Sequence, residues 1–89
     1  MFELRFSSSA KKFLRDCDVK LRNRLKLLFE TLSQVPLPAK DYDLKKISGT
    51  ADTYRIRLSS YRVVYVIYSD QKLIRLLKIE RRDESTYNW

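Results

Sequence analysis

Eighty-nine residues, 44% hydrophobic and 34% charged with one Gly and two Pro, suit a globular chain and exclude a disordered, collagen-like or repetitive one. Nineteen Lys and Arg against eleven Asp and Glu give a net charge of +8, which in so small a protein favours a polyanionic partner, most simply nucleic acid. The absence of His and the single Cys17 exclude a Ser-His-Asp triad, paired histidines in acid–base roles, an internal disulfide and most zinc sites.

Any catalysis must therefore use Arg, Lys, Tyr or carboxylates. No metal-ligand spacing and no glycine-rich phosphate loop is present, so no metal or cofactor is expected. No apolar run reaches the length of a spanning helix, and the N-terminus lacks the hydrophobic core of a signal peptide. The expectation is a cytoplasmic protein with no membrane partner, in keeping with a lone thiol.

Met1 to Phe6 alternates Phe2, Leu4 and Phe6 with Glu3 and Arg5, which predicts a short half-buried strand. Ser7, Ser8 and Ser9 offer N-caps for a helix to about Arg15, and a bend at Asp16–Asp18 leads into a second helix from about Val19 to Gln34. Along it Leu21, Leu25, Leu28, Leu32 and Val35 form one apolar stripe. Two such helices read as a hairpin laid on one face of a sheet. Pro36 and Pro38 end the second helix, Asp43 to Ile47 reads as an edge strand, and Gly49–Asp52 as a turn.

Tyr54 to Tyr68 reads as a β-hairpin turning at Ser59-Ser60. Arg55 and Arg57 alternate with Tyr54, Ile56 and Leu58, so both arginines share a face. A two-residue loop sets Leu58 opposite Tyr61 and Arg57 opposite Arg62, gathering Arg55, Arg57 and Arg62 into one cluster; a three-residue loop would move Arg62 to the other face. Ser-Ser is a weak turn signal because neither residue favours positive φ. A solvated basic face and an anion site both fit this pattern. Ser69–Lys72 is a second turn, and Leu73–Ile79 reads as a central strand covered on both faces. The tail from Glu80 to Trp89 reads as a short helix or an extended arm.

In an antiparallel sheet the end of the last strand lies beside the start of the Arg62 strand, which brings Arg81, Arg82 and Tyr87 within reach of Arg62. Several guanidinium groups suit a phosphodiester, and RNA supplies its own nucleophile in the 2′-OH. A phenol among cations is a conceivable base, since positive charge favours its anionic form. The alternative is that Tyr87 and Trp89 pack the tail against the sheet.

Four pieces in order, Lys45-Lys-Ile-Ser-Gly49, Tyr54-Arg-Ile-Arg-Leu58, Tyr61-Arg-Val-Val-Tyr65 and Arg81 followed by Tyr87, resemble a RelE-type toxin of the RelE/ParE superfamily. The resemblance covers essentially the whole chain as a single domain, residues 1–89. It implies an α+β fold in which two N-terminal helices pack on a four- to five-stranded antiparallel sheet, with a mobile C-terminal segment. It further implies a metal-independent, ribosome-dependent mRNA endoribonuclease acting in the A site, held in a hetero-oligomer by a cognate RelB-like antitoxin. The catalytic roles fall on Arg62, Arg81 (or the adjacent Arg82) and Tyr87, with Arg55, Arg57, Lys46 and Arg82 binding RNA phosphate. The other branch of the superfamily implies a ParE-like inhibitor of DNA gyrase. On this reading Arg62 is an exposed cation whose loss should cost no more than about 1 kcal/mol of stability.

Overall fold

The computed structural model describes residues 1–81, arranged as β1 (Glu3–Phe6), α1 (Ser8–Asp16), α2 (Val19–Gln34), β2 (Asp43–Lys46), β3 (Thr53–Leu58), β4 (Tyr61–Tyr68) and β5 (Leu73–Arg81). Both helices start on side-chain caps. Ser7 Oγ accepts from Ala10 N at 3.1 Å, and an Asp18 carboxylate oxygen accepts from Leu21 N at 2.9 Å, so each satisfies a donor that the first turn leaves open. Arg22 then fixes the elbow between the helices. Its Nε donates to Leu14 O at 3.0 Å and its Nη2 to Cys17 O at 3.0 Å and Arg15 O at 3.2 Å, closing carbonyls at the end of α1.

The stripe on α2 packs as its period requires: Leu25, Leu28 and Leu32 are fully buried and Leu21 nearly so, against Ile56, Val63, Leu76 and Ile79 of the sheet. Val35 departs from it. It caps the helix in an extended conformation and stays half exposed, because the chain leaves the helical path there.

The sheet order is β1-β5-β4-β3-β2, and the β2–β3, β3–β4 and β4–β5 pairs are antiparallel. The β1–β5 pair is parallel, so the sheet is mixed and not wholly antiparallel. The chain between these parallel neighbours is long, running through both helices and the β2–β4 strands, and the short alternation of β1 carries no information about its partner. The C-terminal segment expected to be mobile, with Arg82 and Tyr87, lies outside the described residues.

The hairpin turns as the two-residue loop predicts, with Leu58 paired to Tyr61 and Arg57 to Arg62. Ser59 takes φ +59° to do so, a left-handed backbone uncommon for serine, so strand pairing overrides the weak local preference. Gly49 sits at φ +84° in the turn before β3, where its lack of a Cβ is useful.

β5 runs two residues further than its apolar run suggests, and among the described residues both helices lie on one of its faces, leaving Arg75 on the other exposed. Its apolar density has a different cause. Val64 pairs with Lys78 and Tyr65 with Leu76, which leaves Leu77 without a cross-strand partner in a β-bulge. The bulge lets Leu76 and Ile79 both face the core although three positions separate them. Ser7 secures it, donating from its hydroxyl to Leu77 O at 2.5 Å and from its backbone N–H to Leu76 O at 3.0 Å. Ser7→Ala removes both the cap and the pin. It is expected to cost about 0.5–2 kcal/mol, read as a fall of several degrees in thermal midpoint; an unchanged midpoint would show that the bulge holds without it.

The connector after α2 is tied down by Tyr65, a fully buried residue of β4 whose hydroxyl donates to Pro36 O at 2.8 Å. Burial foremost, and Tyr54 secondarily, push this phenol well above its ordinary value. The neutral form is therefore the folded one. Tyr65 imposes no alkaline penalty below the ordinary phenol range near 10 and opposes folding above it, where the unfolded chain ionises. Tyr65→Phe is expected to lose about 1 kcal/mol at neutral pH and to lose less stability than the parent between pH 9 and 11, by thermal melts at each pH.

Candidate functional site

Alternation along β3, β4 and β5 divides the sheet cleanly. Ile56, Val63 and Ile79 face the helices; Arg55, Arg57, Arg62, Lys78 and Glu80 face away from them. Register aligns these residues in two rows that cross four strands. One row runs Asp43, Arg57, Arg62, Glu80, and the next runs Lys45, Arg55, Val64, Lys78. Five cations and two carboxylates share this patch.

The arginines are more deeply set than surface cations. Arg55 and Arg62 are only 4% and 2% exposed, which corrects the expectation of an exposed Arg62. Arg62 is held across the strand pair by Glu80: its Nε and Nη2 both lie 3.1 Å from Oε2, while Lys78 Nζ stands 3.8 Å from Oε1. At the other end Asp43 serves two arginines. Arg55 Nη1 donates to its Oδ1 and to its backbone carbonyl, each at 3.2 Å, and Arg57 Nη1 lies 3.8 Å from Oδ2. The acids thus stand at the ends of the row, with Arg57 and Arg62 directly opposed between them. Like charges opposed across strands are destabilising. The Nε atoms of Arg55 and Arg57 are, in addition, buried without an acceptor among the described residues. Burying such a donor costs about 1–3 kcal/mol, and an anion bound over the row would relieve both costs.

The other residues singled out from the sequence are placed less simply. Lys46 pairs with Tyr54 and so lies on the helix side; Lys45 and Lys78 occupy the arginine face instead. Arg81 pairs with Tyr61 beside the Arg62–Glu80 pair, as antiparallel β4 and β5 require, but alternation puts it on the helix side, where it is exposed. Tyr87 and Arg82 lie outside the described residues. Sequence reasoning passed over Asp43 and Glu80. Asp43 opens β2 at the register position of Arg57, a hint that needed the pairing of that strand; Glu80 needed the bulge. On the helix side a cleft of about 710 Å³ opens between α1, α2 and the ends of β4 and β5, lined by Phe13, Leu21, Tyr61, Ile79 and Cys17. It is separate from the arginine rows.

Fold and site together define a small basic α+β protein with a guanidinium-lined sheet face. The profile of the ParE toxin of type II toxin–antitoxin systems matches residues 4–86. A candidate toxin of Methanocaldococcus jannaschii named RelE1 is 32% identical over 87 residues, 98% of this chain and 97% of that protein. The archaeal RelE–RelB complex of Pyrococcus horikoshii superposes with a TM-score of 0.84 at 28% identity, covering 93% of this chain and 97% of that one. The intact E. coli RelBE complex gives a TM-score of 0.78 over 94% and 100% of the two chains; at 23% identity it speaks for the fold alone. The chain belongs to the ParE toxin family of type II toxin–antitoxin systems, and within it is RelE-like.

Proposed function

We propose that this toxin is a ribosome-dependent mRNA endoribonuclease whose scissile phosphate binds over Arg57 and Arg62. The observation that carries the reading is the opposed pair Arg57 and Arg62, with the Nε atoms of Arg55 and Arg57, which lack an acceptor among the described residues, beside it. The RelE names of the similar proteins support this branch over gyrase inhibition.

In the reaction the 2′-oxygen forms a bond to the adjacent phosphorus as the bond to the 5′-oxygen breaks, leaving a 2′,3′-cyclic phosphate and a free 5′-hydroxyl. Arg62 meets the charge that builds on the phosphoryl oxygens, where a preorganised donor is worth most. Arg55 and Arg57 bind phosphate only, since guanidinium neither gives nor takes a proton at working pH. Tyr87 takes the 2′-OH proton. The leaving 5′-oxygen takes its proton from water, while Arg81, at the strand end, or its neighbour Arg82 stabilises the developing alkoxide by hydrogen bonding. Lys46, on the helix side of the edge strand, contacts backbone phosphate away from the cut.

The toxin works in the cytoplasm as a single domain and is neutralised in a hetero-oligomer with a RelB-like antitoxin, the kind of partner bound in the similar solved complexes. The apolar cleft at Phe13, Leu21 and Tyr61 is a suitable seat for an antitoxin helix.

Adding the purified chain to a translating extract tests the reading: a defined message should appear as discrete fragments, and only while ribosomes translate it. Intact message together with lost gyrase supercoiling would replace it with the ParE-like alternative.

A further inference from the structure

Glu80 stands next to the proposed phosphate site with no role assigned to it. Arg62 is 2% exposed and Glu80 a third exposed, so the pair sits at the buried edge of the site and not in free solvent. Nε donates to one carboxylate oxygen, Oε2, at 3.1 Å, and Nη2 lies 3.1 Å from the same oxygen as an ion pair. The Nε hydrogen bond, with Nη2 held against the same oxygen by charge, restricts rotation of the guanidinium about its last torsions. The other oxygen, Oε1, turns towards Lys78 Nζ at 3.8 Å. Glu80 is on this face only because the bulge at Leu77 shifts the alternation of β5 by one residue.

We propose that Glu80 is a positioning residue, which orients the Arg62 guanidinium for the phosphoryl group undergoing attack. The proposal rests on the nuclease reading above and deepens it. A guanidinium held in plane meets the transition state without reorganising; one that rotates freely must be reordered in every turnover. Glu80 takes no proton in this scheme. Because a single oxygen accepts the Nε bond, the amide oxygen of Glu80→Gln can accept it as well, whereas Glu80→Ala offers no acceptor.

The experiment compares full-length wild type, E80A and E80Q in single-turnover message cleavage on stalled ribosomes, with ribosome affinity measured separately. E80A should cut about 10- to 100-fold more slowly while binding ribosomes within about twofold, and E80Q should stay within about fivefold of wild type, the loss expected when a charged acceptor becomes neutral. Equal damage from E80Q and E80A would overturn the proposal, since it would make the ionised carboxylate itself the requirement. So would a loss confined to ribosome affinity. A second measurement does not depend on cleavage: in ¹⁵N-edited NMR the Arg62 guanidinium should show hindered rotation in wild type and E80Q and fast averaging in E80A. Free rotation in wild type, or hindrance surviving in E80A, would overturn the proposal even in active protein. If wild type cuts no message, the nuclease reading falls, and the NMR result still decides whether Glu80 orients Arg62.

Discussion

An Arg62→Lys toxin is expected to stay folded and to cut message at least 100-fold more slowly than wild type. The substitution keeps the positive charge and most of the buried aliphatic stem, so the face retains its net charge and the core beneath it is untouched. It loses the planar fork. Lysine presents one compact ammonium where arginine donates from Nε to Glu80 Oε2 and sets Nη2 3.1 Å from the same oxygen. Removing one preorganised donor from a site where charge develops typically costs about 10²–10³ in rate, and a single ammonium cannot satisfy the carboxylate and the phosphoryl oxygens in the same geometry. Lysine is the informative variant because alanine confounds two effects. At 2% exposure Arg62→Ala opens a void and leaves Glu80 with Lys78 as its ion-pair partner among the described residues. The expected cost is about 1–3 kcal/mol, more than an exposed arginine would incur, and inactivity of such a protein is ambiguous. Single-turnover cleavage and thermal melts on the same preparation separate the two. Wild-type cleavage by Arg62→Lys would mean that Arg62 contributes only charge.

The residues also show why part of this site could be read in advance and part could not. Alternation along Tyr54–Leu58 and a two-residue turn were enough to set Arg55, Arg57 and Arg62 on one face, and the register agrees position by position. The α2 stripe was legible for the same reason: a strong helical period leaves one face to bury. The last strand was not legible. Counting by twos from Ile74 through Leu76 puts Lys78 and Glu80 in the core and Arg81 on the arginine face; the bulge at Leu77 reverses all three. A bulge is fixed by tertiary contacts, here the Ser7 hydroxyl seventy residues away, and leaves no local trace. The parallel pairing of β1 with β5 was hidden likewise, since four alternating residues suit many partners.

The carboxylates bear on how the fold tolerates its own site. Asp43 and Glu80 bracket Arg57 and Arg62, so the opposed arginines carry compensating charge within one row without any bound anion. The compensation is partial, because the adjacent row of Lys45, Arg55 and Lys78 has no acid of its own. This arrangement lets the chain fold without a polyanion yet still attract one, and burial keeps the internal pairs less screened by salt than exposed ones.

Leu28→Ala is expected to be the most destabilising of the single substitutions considered, because the stability of so small a chain rests on one apolar layer between helix and sheet. Leu28 is wholly buried on the α2 stripe, facing strands that hold Ile56 and Val63. Truncation removes about three methylene equivalents of transfer energy and leaves a cavity that the rigid sheet cannot close, a loss of about 2–5 kcal/mol. Against a total of about 5–15 kcal/mol for a native domain, this should lower the thermal midpoint on the order of 10–30 °C. Leu27, the preceding residue, is 60% exposed on the opposite side of the helix, and Leu27→Ala should change stability by no more than about 0.5 kcal/mol. Side-by-side melts of the two variants test the helix orientation directly. Equal losses at both positions would mean that α2 does not dock through the Leu21, Leu25, Leu28 and Leu32 face. The sheet that carries Arg57 and Arg62 would then have no fixed layer behind it.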